Sequence, residues 1–206
     1  VSQIFLLSLL ATSALAADVV DKVQARYDDT KDFTATVHQE LVMASGGKTM
    51  KASGAVAFKK PGKMRWTLND GVSQVIVADG KTLWFYEPDE QQVLKAPFQS
   101  AFRSSTPISF LTGVGRLRKD FDVTVERGDG QVHLRLKPRG DADLGTLVLV
   151  VDPTSYDIVG ADVTDPIGNV TKLQFSDLRR NVGLADDAFQ FEAPAGVDVV
   201  EAPIGN

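Results

Sequence analysis

Residues 58–88 read Phe58-Lys-Lys-Pro-Gly-Lys-Met-Arg-Trp-Thr-Leu-Asn-Asp-Gly-Val-Ser-Gln-Val-Ile-Val-Ala-Asp-Gly-Lys-Thr-Leu-Trp-Phe-Tyr-Glu-Pro88. This stretch predicts three consecutive antiparallel strands. Lys60-Pro61-Gly62 opens the first, Asn69-Asp70-Gly71 turns it into the second, and Asp79-Gly80 supplies the residues a two-residue hairpin turn favours. A turn centred on Asp79 and Gly80 sets Val77 opposite Thr82 and Val75 opposite Trp84. Because side chains alternate along a strand, Val75, Val77, Trp84 and Tyr86 share one face, and Ile76, Ala78, Leu83 and Phe85 the other. Both faces are apolar. A sheet that leaves one face to water alternates cleanly, so this one needs apolar cover on both sides.

The rest of the chain extends that sheet. Residues 17–31 carry a helical stripe of Val19, Val20, Val23 and Tyr27, with Asp18 placed to cap it. Strands are expected over Phe33–Met43, Lys51–Phe58 and Gln91–Lys95, and again over Phe121–Glu126, Val132–Leu136, Thr146–Val151, Tyr156–Val163 and Thr171–Leu178. Between the two strand runs, Phe98 and Phe102 are spaced as on a helix. Thr106-Pro107 through Gly113 has a threonine cap, a proline at the first helical position and a glycine past the end, with Ile108 and Leu111 on the inner side. The sum is a mainly β, single-domain, unclosed antiparallel barrel of about 10–11 strands under a lid of three short helices.

Composition narrows the function. The chain has 206 residues, 43% hydrophobic and 24% charged, with a net charge of −5. That suffices for one domain with its own core and lacks the basic stripe that nucleic acid requires. There is no cysteine, which excludes disulfides, thiolate metal sites and lipidation on an N-terminal cysteine. Ile4–Leu10 is a short apolar run and Ala14-Leu-Ala16 a small-x-small motif, so residues 1–16 read as a signal peptide and 17–206 as the exported domain. No nucleophile elbow, phosphate loop or metal-binding helix occurs. His38 and His133 fall on polar strand faces, and no carboxylate pair is set in an apolar pocket. An enzyme has nothing here to work with, and no cofactor is implied.

Val77-Ala-Asp-Gly-Lys-Thr-Leu-Trp-Phe-Tyr-Glu-Pro88, together with Lys60-Pro61 and Trp66, resembles the periplasmic outer-membrane lipoprotein carriers of the LolA family. Phe33 and its strand, Thr106-Pro107, and Phe189-Gln-Phe-Glu-Ala-Pro194-Ala-Gly-Val-Asp-Val199 follow in the family's order. The resemblance implies a periplasmic shuttle that takes acylated lipoproteins from an inner-membrane ABC transporter and passes them to an outer-membrane receptor. A monomer is expected. The receptor of similar fold needs an N-terminal cysteine, so the soluble carrier is favoured. A cavity wall of Met64, Trp66, Val75, Val77 and Trp84 is expected for the acyl chains, with Val23, Tyr27, Ile108 and Leu111 as the lid. Lys60 stands where the family often has a lid-latching arginine, and Met64 where it commonly has an aromatic. The alternative is a carrier or sensor of small apolar ligands such as fatty acids.

Overall fold

The structure, a computed structural model, describes residues 18–101, 115–139 and 145–202. The signal-peptide reading of residues 1–16 and the Ile108–Leu111 helix lie outside the described residues. The chain opens with helix α1 (18–29). Six strands follow: β1 (Asp32–Val42), β2 (Thr49–Lys59), β3 (Lys63–Asp70), β4 (Gln74–Asp79), β5 (Thr82–Glu87) and β6 (Gln92–Pro97). The helical turns α2 (Phe98–Ala101) and α3 (Leu117–Asp120) precede β7 (Phe121–Gly128), β8 (Gln131–Pro138), β9 (Thr146–Val151), β10 (Ile158–Thr164) and β11 (Val170–Arg180). A 3₁₀ turn (Asp186–Phe189) leads to β12 (Asp198–Glu201).

All the strands belong to one sheet, ordered β12-β6-β5-β4-β3-β2-β1-β11-β10-β9-β8-β7. Its two edges, β12 and β7, do not pair, so the barrel is unclosed. Among the described residues the count is twelve, where ten or eleven were expected. The added strand is β12, four exposed residues that pair in parallel with β6; exposure on both sides leaves no alternation to read. Bulges at Thr34/Thr36, Ser53/Gly54 and Ile158/Gly160 bend the sheet. Gly54 makes the second bend possible, because a Cβ there would stand 1.9 Å from the Thr67 carbonyl oxygen.

The β4–β5 connection corrects the expected register. Ala78 pairs with Leu83, Val77 with Trp84 and Val75 with Tyr86. The Asp79 carboxylate accepts the amides of Lys81 and Thr82, both at 2.7 Å, and widens the turn to four residues. The slip is two residues, which returns every side chain to its own face. The division of faces therefore stands.

Each face has its own cover. The inner face carries Ala35, Val37, Val56, Phe58, Met64, Trp66, Leu68 and Ala78, continuous with Leu134, Leu149 and Leu173 on the far strands, and Val19, Val20 and Val23 of α1 join this core. The outer face of β3–β5 is covered by residues 181–202, a strap from the far end of the chain. Phe189 is fully buried, as are Val77 and Val93, and the Phe191 ring lies 6.2 Å from that of Trp84 and 5.9 Å from that of Tyr86. Polar contacts fix the strap along its length. The Asp32 carboxylate accepts the amides of Val182, Gly183 and Leu184. Lys59 and Lys63 both reach Asp186 at 2.6 Å, holding its carboxyl down at about 2. Arg65 donates to the carbonyls of Ala188 and Gln190, each at 2.7 Å.

Candidate functional site: the cavity beneath α1

Helix α1 lies across the inner face because its apolar stripe has nowhere else to be buried. Beneath it the strands present a row of aromatic rings. Phe33 stacks on Phe58 with centroids 4.8 Å apart. Trp66 meets Phe58 edge-on at 6.3 Å and Phe175 at 6.4 Å. Cross-strand aromatic pairs of this kind stabilise a sheet by roughly 0.5–1.5 kcal/mol each beyond their burial. Between helix and rings is a cavity of about 60 Å³, walled by Val23 and Tyr27 above and by Phe33, Phe58, Ile158, Phe175 and Leu178 around and below. Tyr156, Asp157, Arg26, Lys60 and Arg180 also border it.

Ion pairs hold the helix down on one side, and a lysine on a carbonyl and a ring holds it on the other. Arg26 grips Asp157 with two parallel bonds, Nε–Oδ1 at 2.7 Å and Nη2–Oδ2 at 3.0 Å. Arg180 reaches the same carboxylate at 3.0 Å and also donates to Thr30. Burial works to raise the Asp157 carboxyl, but Arg26, Ser155 and Arg180 together outweigh it and keep it below its ordinary value. Toward the helix N-terminus, Lys22 donates to the Tyr156 hydroxyl and Asp21 pairs with Arg118 at 2.7 Å. On the β2 side, the Lys60 ammonium donates to the carbonyl of Tyr27 and lies 3.7 Å from the centroid of its ring. Burial pushes this lysine down to about 8, opposed by the charge of Asp28. The carbonyl and the ring face both favour the ammonium.

The expected wall is divided by the pleat. Met64 and Trp66 are on the inner face and buried; Trp66 backs Phe58 and Phe175. Val75, Val77 and Trp84 are on the outer face, beneath the strap, and do not join them. The reason is the register: Trp66 pairs with Ile76, which puts Ile76 rather than Val75 or Val77 inward. Val23 and Tyr27 face the cavity from α1, and Lys60 is at its rim. Phe33, Phe58 and Phe175 were legible as apolar strand positions, but only the pairings Phe33–Phe58 and Val37–Phe175 gather them into one wall. Arg26, Asp157 and Arg180 carried no local signal.

Residues 28–192 match the profile of the outer membrane lipoprotein carrier protein LolA. The chain belongs to the LolA family. A protein of Methylobacillus flagellatus named outer-membrane lipoprotein carrier protein is 34% identical over 194 residues, 94% of each chain. One of the same name from Bordetella avium is 33% identical over 201 residues, 97% of this chain and 95% of that one. An uncharacterized conserved protein of Thermus thermophilus shares the fold, with a TM-score of 0.54 at 16% identity over 90% of this chain and 98% of the other. The LolA family is one of carriers, not enzymes.

Proposed function

We propose that the protein is a periplasmic carrier that shields the acyl chains of lipoproteins in the space between α1 and the inner aromatic face. It takes them from an inner-membrane ABC transporter and yields them to an outer-membrane receptor, working as a monomer. The observation that carries this reading is the apolar cavity closed by a helix that ionic contacts hold in place. Each methylene favours an apolar site by about 0.8 kcal/mol, so a chain of roughly 16 carbons favours one by on the order of 10 kcal/mol. Cargo with two or three such chains crosses water only inside a host that replaces the bilayer.

With about 60 Å³ left beneath α1, the part-open cavity does not enclose a whole acyl chain. Loading therefore requires α1 to lift from Phe33 and Phe58, with Lys60 as its latch on the β2 side. Closure then works against retention and helps unloading, a population shift between two packings of one sheet. The test adds the purified protein to spheroplasts carrying an outer-membrane lipoprotein. ATP-dependent appearance of that lipoprotein in the soluble fraction, bound to this chain, is expected. No release from spheroplasts that do release to a working carrier would refute the reading.

A further inference from the structure

The cavity is bordered by four cationic residues, Arg26, Lys31, Lys60 and Arg180, and two acidic ones, Asp32 and Asp157, in a chain whose net charge is −5. The acidic pair does not balance the cations. Asp157 is shared by both arginines, and Asp29, 3.9 Å from Arg180, is three-quarters exposed. Asp32 is committed to three backbone amides of the strap. Among the described residues no carboxylate lies within ion-pair distance of Lys60, and the charge of Asp28 reaches it without a direct bond. Its ammonium rests on a carbonyl and a ring, both neutral and both belonging to Tyr27. A half-buried ammonium bonds more strongly to an anionic oxygen than to a neutral one, and here the neutral partner moves away whenever α1 lifts.

We propose that the cavity also binds single-chain anionic amphiphiles, the tail on Phe33 and Phe58 and a carboxylate or phosphate headgroup on Lys60. This rests on the reading that the cavity accepts an acyl chain. The headgroup and the Tyr27 carbonyl compete for one ammonium, so binding the anion releases the helix on that side. Entry of the tail and loss of the latch become one event.

The experiment measures displacement of an apolar dye from the purified protein at pH 7, with palmitate, palmitoyl lysophosphatidylglycerol and methyl palmitate below their aggregation limits. At least one anionic ligand is expected to bind about tenfold tighter than the ester, the low end for a charge-assisted bond. Whichever anion binds tighter identifies carboxylate or phosphate as the natural headgroup. Lys60→Met should bring the ratio of anion to ester affinity near one, and Lys60→Arg should keep it. Equal affinity for anion and ester in the wild type would overturn the inference while leaving the acyl cavity standing. Selectivity that survives in Lys60→Met, with unchanged ellipticity, would overturn it too. Binding of none of the three would remove the cavity reading along with it.

Discussion

Replacing Asp157 by asparagine keeps the shape of the side chain and removes the carboxylate charge to which both Arg26 and Arg180 donate. Breaking a fully buried ion pair costs about 3–5 kcal/mol, because the remaining charge is left without a partner. Here the side chains are 17% exposed for Asp157, 19% for Arg180 and 33% for Arg26. Water reaches the site and screens part of the loss, which brings the expected cost to about 2 kcal/mol. For a domain of this size that lowers Tm by roughly 4–8 °C, measured by scanning calorimetry at pH 7. Arg26→Met and the double variant complete a cycle, whose coupling should exceed about 1 kcal/mol. The sign with pH follows from the lowered carboxyl. The stabilisation is complete above the unfolded value near pH 4 and disappears as pH falls through the lower folded value, so wild type and Asp157→Asn should converge in acid. A variant within about 1 °C of wild type at pH 7, or strictly additive single changes, would refute the claim that this cluster pins α1.

Lys60 gives a slope of the same sign in the alkaline range. Its folded value is about 8 against roughly 10.4 unfolded, so the unfolded chain holds the extra proton between these limits. Stability should therefore rise as pH passes through about 8 and level off near 10.4. Lys60→Met should remove that rise, and a rise of equal size in the variant would show that another group produces it. Phe189→Ala empties a fully buried position beneath the strap, at an expected cost of about 3–5 kcal/mol. With Trp66→Phe as background, the emission of Trp84 should shift to longer wavelength as the strap loosens. Unchanged emission at full loss of stability would mean that the strap does not shield the outer face.

The central strands were readable because alternation and glycine turns are local. Residues 58–97 announce their own strands, and even a register displaced by the Asp79 side chain kept the faces apart. What the local pattern does not contain is the identity of each face's cover. Val77 and Trp84 look as fit to line a cavity as Met64 and Trp66 until Phe189 and Phe191 are seen to lie on them. The contacts that decide this are distant: Arg26 to Asp157 spans 131 residues, and Arg65 to Ala188 spans 123. β12 escaped because four exposed residues leave no period. The candidate site was accordingly half legible: Val23, Tyr27 and Lys60 from the helix stripe and the resemblance, but not the aromatic row that Phe33, Phe58 and Phe175 complete.

The strap also bears on the order of folding. Strands β3 to β5 are made early and can pair at once through short turns, yet their outer side stays bare until residues 189–191 have been synthesised, some 123 residues after Arg65. Contacts so far apart in sequence form late, because the intervening chain must first be drawn in. Any stage in which the β3–β5 ribbon has paired and the strap has not yet docked leaves that apolar side without cover. At that stage Val77, Trp84 and Tyr86 are the surface a folding helper would meet, and a chain cut short before Phe189 would keep that surface for good.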